Sequence, residues 1–187
     1  RDGLGQEVGG DFRVIEAGAG MEGGELATDR NPDLIISDVM MPRMGGFELC
    51  QKLKSNIDTS HIPIILLTAK SADEHRIKGL QLGADAYIPK PLNLKHLIAR
   101  IDNLLKSRSE LRRTSSQKLL VEPSDVTVTP TDERILKKAI RIVDENMIEE
   151  DFDITQFSQL MGMSKSSLVR KLRAITDMTP LHFIQHM

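Results

Sequence analysis

Three short apolar segments end in residues whose chemistries complement one another. "DLIISD" (33–38) runs into Asp38, "IPIILLTA" (62–69) into Thr68 and Ala69, and "AYIP" (86–89) into Lys90. A carboxylate, a hydroxyl beside a backbone N–H, and an ammonium gathered at one place suit a carboxylate nucleophile that accepts a phosphoryl group. The oxygens of that group carry concentrated negative charge. Thr68 and the N–H of Ala69 can donate to them, and Lys90 can neutralise them. A divalent cation would complete the neutralisation, and Mg2+ favours carboxylates, a carbonyl and water.

The gathering requires that these segments be neighbouring strands ending at one rim. The pattern predicts this. "DFRVIEAG" (11–18) reads as a strand and "MEGGELATDR" (21–30) as a helix weakened by Gly23 and Gly24. "DLIISD" reads as a buried strand, continuous rather than alternating. Then follow a helix over 46–56, a strand over 62–69, a helix over 72–84 closed by Gly83, and a strand over 86–89. A long amphipathic helix over 93–113 has Leu97, Ile98, Ile101, Leu104 and Leu105 on one face. Repeated strand–helix units imply a parallel sheet with helices on both faces, and ligands of such sheets bind at the C-terminal ends of the strands.

Residues 114–131 are rich in Ser, Thr and Pro and read as a linker with one extended stretch, Val126 to Val128. Beyond it the pattern is helical, over 132–147, 153–162, 164–176 and from 179 onward, with Pro180 in the last helix's first turn. Helix 153–162, a turn at Gly162–Met163 and helix 164–176 have the form of a helix-turn-helix, with Ser164 able to cap the second helix. Charge is segregated. Residues 163–175 carry Lys165, Arg170, Lys171 and Arg173 with no acid, whereas 144–153 hold six acids and no base. A basic second helix suits phosphate contact and entry into the major groove of DNA. Lys165, Ser166, Ser167 and Arg170 near its start are the candidates for reading bases, with Ser164 and Lys171 as further DNA-binding candidates. A helical hairpin with a solvated basic face remains the alternative.

Composition sets limits. At 187 residues, 40% hydrophobic and 28% charged, the chain is that of a soluble globular protein with one large or two small domains. The net charge of −2 decides nothing about nucleic acid; only a local patch can. The single cysteine, Cys50, excludes an internal disulfide and a cysteine-rich zinc site. Aromatics at 3% leave little material for stacking single-stranded bases. No apolar run reaches a membrane span. His182 and His186 share a helix face but lack a third ligand, and His61, His75 and His96 are scattered.

"DLIISDVMMPRMGGFELC", "IPIILLTAK" and "GADAYIPKP" together resemble the receiver domain of bacterial response regulators over about residues 1–110. The resemblance implies a flavodoxin-like (CheY-like) doubly wound α/β fold. It also implies Asp38 as phospho-acceptor, Thr68 as switch hydroxyl, Tyr87 as switch aromatic, Lys90 as the phosphate-contacting lysine, a cis bond before Pro91, and a Mg2+ held by Asp38 and the backbone carbonyl of Met40. The family's first strand, ending in two adjacent acids that help to hold the metal, has no counterpart here. The expectation is a fragment of a longer protein that binds Mg2+ weakly and accepts phosphate poorly. "DFDITQFSQLMGMSKSSLVRKLRAITDMTPLHFIQHM" is similar to the first half of AraC-type DNA-binding domains.

The expected organisation is therefore a receiver domain lacking its first strand (1–113), a linker (114–131) and an all-α helix-turn-helix domain (132–187). The succession resembles the C-terminal end of hybrid two-component sensors of Bacteroidetes, whose parent chain carries a histidine kinase and sits in the inner membrane. The implied function is a cytoplasmic, non-enzymatic response regulator. A histidine kinase would supply its phosphate. It would form a homodimer through helix 72–84, strand 86–89 and helix 93–106, and bind double-stranded DNA to regulate transcription. Two alternatives stand beside it. One is a phosphosignalling module whose helical tail binds protein. The other is an aspartate-nucleophile phosphatase, disfavoured because Met40 occupies the place where such enzymes put a second acid.

Overall fold

The computed structural model describes residues 12–69, 82–117, 129–147 and 152–187. It divides into two compact units, Arg1–Leu53 with Ile62–Leu105, and Lys54–His61 with Lys106–Met187.

Among the described residues the first unit has three parallel strands, β1 (Ile35–Asp38), β2 (Ile64–Thr68) and β3 (Ala86–Pro89), in the order β1-β2-β3. Asp38 lies opposite Leu67, and Thr68 opposite Pro89. β2 is apolar from Ile64 to Leu67 because it is covered on both faces. Ile64 and Leu66 join Ala27 of helix α1 (Gly20–Arg30) and Leu49, Cys50 and Leu53 of helix α2 (Gly46–Ser55). Ile65 and Leu67 face the other way, toward Leu97 and Ile101 of helix α3 (Leu94–Gln117). Alternating side chains thus serve two cores, which is what a central strand of a parallel sheet requires. At about 25 cal/mol per Å2 such fully buried side chains contribute on the order of 2 kcal/mol each.

Two expectations for this unit are corrected. The segment over 11–18 forms no strand in its described part, residues 12–18; Val14 and Ile15 are half exposed. A strand exists only through ladder hydrogen bonds, and no strand among the described residues lies beside this segment. β1 is also not buried along its length. Ile36 is 37% exposed, because only one of its edges is paired with another described strand. The predicted helix over 72–84 falls largely outside the described residues, as does Val126–Val128.

The second unit contains helices α4 (Pro130–Asn146), α5 (Ile154–Met161), α6 (Lys165–Thr176) and α7 (Pro180–His186). Each begins at a polar cap whose side chain accepts a backbone N–H: Thr129 from Asp132, Asp153 from Gln156, Ser164 from Ser167, Thr179 from His182. Pro130 and Pro180 occupy first-turn positions, where a missing N–H costs nothing. Their apolar stripes meet around Phe157, which is fully buried against Phe183 and Phe152, with Ile135, Leu136, Ala139, Leu168 and Leu172. α5 ends at Gly162 with φ 71°, and Met163 N–H returns to the Ser158 carbonyl at 3.0 Å. That tight stop turns the chain directly into the Ser164 cap.

Candidate functional site

The C-terminal ends of β1, β2 and β3 bring the predicted phosphoryl-accepting residues to one rim. Val39 N–H donates to the Leu67 carbonyl at 2.9 Å, and Lys90 N–H to the Thr68 carbonyl at 2.7 Å, so the strand ends stay in register past the sheet. The Lys90–Pro91 peptide is cis. The Lys90 ammonium donates to Oδ2 of Asp38, while Oδ1 accepts from Met40 N–H at 3.0 Å. Lys90 and Asp38 side chains are 37% and 31% exposed, so a reactant can reach both. Thr68 and the exposed Ala69 follow Leu67, the register partner of Asp38.

The loop after Asp38 is held tightly. Met44 N–H returns to the Pro42 carbonyl at 2.9 Å, and Arg43 between them has φ 68°, a left-handed conformation that is costly for a side chain. Gly46 starts α2 where a Cβ would collide with the Asp38 carbonyl oxygen and lie 2.9 Å from its carbon. A glycine there lets α2 begin against the backbone of Asp38 itself.

Tyr87 is half-buried on β3 against the α2 side of the sheet. Its hydroxyl is enclosed and makes no hydrogen bond among the described residues. Burial, with Cys50 nearby, pushes its pKa up. A buried hydroxyl without a partner is a cost that a fixed core would avoid.

A magnesium ion needs several oxygen ligands at short range. Among the described residues no cluster of three metal-binding side chains exists. Asp38 is the carboxylate at the rim, and both its oxygens are engaged. These residues do not by themselves make a Mg2+ site.

In the second unit, Lys165, Ser166, Arg170 and Arg173 lie exposed along α6, with Ser164 at its cap and Ser167 half-buried behind it. Lys171 corrects the expectation that it faces a nucleic acid. It is 1% exposed, and its ammonium lies 2.6 Å from Asp132 Oδ1 on α4. Ser60, part of the same unit, accepts from Lys171 at 2.6 Å and donates to Asp132 at 2.8 Å. Burial alone would push the Asp132 pKa up, but Lys171 and the hydroxyls of Thr129 and Ser60 outweigh it and hold it below its ordinary value. His61, with Nδ1 3.5 Å from Lys171 Nζ, is pushed down to about 3 by burial and then by the Lys171 charge. Spacing carried this signal: Lys171 lies three and four residues from Leu168 and Ile175, on the stripe of the helix that faces the core.

Residues 6–102 match the family model of the response regulator receiver domain. The chain is similar over 94% of its length to histidine kinase P4 of Formosa agariphila, at 46% identity, but spans 13% of that protein. It is 40% identical over 129 residues to the probable transcriptional regulator ycf29 of Pyropia yezoensis, covering 67% of this chain and 58% of that one. Among solved structures, the signal receiver domain of a histidine kinase from Syntrophus aciditrophicus is similar at 35% identity. Its TM-score is 0.50, over 56% of this chain and 78% of that one. No helix among the described residues is long and apolar enough to cross a membrane. Through residues 6–102 the chain belongs to the response regulator receiver domain family.

Proposed function

We propose that this chain is a two-component response regulator segment in which Asp38 accepts a phosphoryl group from a histidine kinase and α5–α6 form a helix-turn-helix that binds double-stranded DNA. The observation that carries the first half is the Lys90 ammonium held on the Asp38 carboxylate at the strand rim. A carboxylate oxygen of Asp38 attacks phosphorus, the P–N bond to the kinase phosphohistidine breaks with its electron pair staying on the ring nitrogen, and neutral imidazole leaves with the proton its other nitrogen already carries. Lys90 then balances the new phosphoryl charge in place of the carboxylate, and Thr68 and Ala69 N–H donate to its oxygens. Mg2+ belongs to this chemistry in the family, with Asp38 and the Met40 carbonyl as the ligands this segment would offer. No cluster of further side-chain ligands exists among the described residues.

The DNA half is supported by the exposed basic face of α6 and by its capped, glycine-turned start. The likeness to histidine kinase P4 spans 94% of this chain, so the helical unit is shared with a signalling protein as well. Phosphorylation biases a two-state element, Thr68 moving toward the phosphate and Tyr87 following, and so shifts dimerisation and DNA affinity. The Tyr87 hydroxyl, which has no partner among the described residues, is consistent with a side chain that has a second position. The setting is the cytoplasm, in a parent that is a hybrid sensor.

The test is sedimentation with and without phosphoramidate, and a gel shift on duplex DNA. The wild-type chain is expected to shift toward dimer on phosphorylation and Asp38→Asn to stay put. Arg170→Ala is expected to weaken the shift. Phosphate-dependent dimerisation that survives Asp38→Asn contradicts the acceptor assignment. DNA binding indifferent to Arg170→Ala favours a protein partner for the helical unit.

A further inference from the structure

The basic run of α6 contains a cation that its own unit consumes. We infer that Lys171 is a positioning residue: its buried ion pair with Asp132 anchors α6 to the first turn of α4 and so sets the direction in which Lys165, Ser166, Arg170 and Arg173 face. This rests on the DNA reading proposed above and divides its basic residues into two roles.

The geometry supports the division at each step. Asp132 is the third residue of α4, and its backbone N–H is fixed by the Thr129 cap at 3.1 Å. Its carboxylate therefore starts from a rigid point. Lys171 stands near the middle of α6, with Leu168 and Leu172 fully buried beside it. The pair is 1% and 3% exposed, with Ser60 satisfying a second hydrogen bond of each group. Taking two charges out of water is costly, and packed apolar residues would often serve stability as well. What a buried pair adds is direction. The apolar contacts of Leu168, Leu172 and Ile175 have no directional preference of their own, whereas the ammonium cannot leave Asp132 without stranding two buried charges. Rotation of α6 about its axis is thereby restricted, and rotation is what would carry Ser166, Arg170 and Arg173 off a groove.

The two roles predict different salt dependences. A lysine on a phosphate contributes about one unit to the slope of log affinity against log salt concentration, and a positioning lysine contributes none. The experiment uses the full chain, a mixed-sequence duplex of about 25 base pairs, and titrations at several salt concentrations well below the melting temperature. Lys171→Met is expected to bind severalfold more weakly with an unchanged slope, and Arg173→Ala to lose about one unit of slope. Ile142→Val, which loosens the same core without touching the pair, is expected to keep wild-type affinity. In thermal unfolding, Lys171→Met and Asp132→Asn each lower the transition of the helical unit, and the double variant lowers it by less than their sum.

A Lys171→Met variant that loses about one unit of slope overturns the proposal, because the ammonium would then reach a phosphate. Wild-type affinity at low temperature in Lys171→Met also overturns it, leaving the pair merely structural. A wild-type chain that binds no duplex at low salt overturns the DNA reading itself. The anchoring claim then stands or falls on the unfolding cycle, and single variants that melt like the wild type refute it.

Discussion

Gly46 lies so close to Asp38 that a single added carbon at Gly46 would overlap the Asp38 carbonyl. The start of α2 and the end of β1 are thus one rigid object, with the loop 39–45 folded between them. Gly46→Ala is expected to cost about 1–3 kcal/mol, the usual range for forcing volume into a packed site. It should also slow labelling of Asp38. Arg43 in the same loop points the other way. Its φ of 68° suits glycine, so Arg43→Gly is expected to stabilise by about 0.5–1 kcal/mol once the added freedom of the unfolded chain is subtracted. Urea denaturation of both variants checks the pair of signs.

Lys90 and Asp38 are each about one-third exposed, so solvent screens their attraction. Lys90→Met is therefore expected to change stability by less than about 1 kcal/mol while reducing phosphoryl acceptance on the order of 100-fold. Calorimetry and a labelling time course on the same sample separate the two effects. A large loss of stability with little loss of acceptance would make Lys90 a structural residue.

Tyr87→Phe removes a hydroxyl that is buried without a partner among the described residues. Deleting such a group is expected to leave stability unchanged or raise it by up to about 1 kcal/mol. Where the hydroxyl has a second, bonded position in the phosphorylated state, Tyr87→Phe should weaken phosphate-dependent dimerisation without weakening the fold. Thermal melts and sedimentation measure the two sides.

The helical unit should be sensitive to acid in a defined window. His61 has its pKa lowered from 6.5 to about 3, so the unfolded chain takes up a proton that the folded unit refuses. Its contribution is complete above pH 6.5 and is lost as pH falls toward 3, at a slope of at most about 1.4 kcal/mol per pH unit. Asp132, also lowered, acts in the same direction but further down. Its contribution is present above the ordinary carboxylate value of 3.8 and is lost as pH falls through the depressed one. His61→Gln should flatten the upper part of the profile between about pH 6.5 and 4 and leave the lower part, as denaturation at stepped pH would show.

The rim of the sheet was legible because its information is local. Thr68 and Lys90 each follow directly on an apolar run, Asp38 follows one after Ser37, and parallel strands must deliver their ends to one side. β3 was read at its observed bounds, Ala86–Pro89. Two features were not legible for one shared reason, that they depend on neighbours. The segment over 11–18 reads as a strand, yet a strand needs a ladder partner, and residues 12–18 have none among the described strands. Lys171 was counted with the basic residues because charge segregation registers sign and not burial. Its spacing from Leu168 and Ile175 would have shown that it points inward. α4 starts two residues before the expected Asp132, at Pro130, where Thr129 followed by Pro130 is a recognisable cap and first-turn pair.

The account turns on which atom takes the phosphate. The direct measurement is mass spectrometry of the chain after incubation with phosphoramidate, with acid-labile phosphate mapped to its residue and Asp38→Asn treated in parallel. The expected result is phosphate on a minor fraction of the chain, all of it on Asp38 and absent from the Asn variant. Phosphate carried elsewhere, or undiminished in Asp38→Asn, would contradict it.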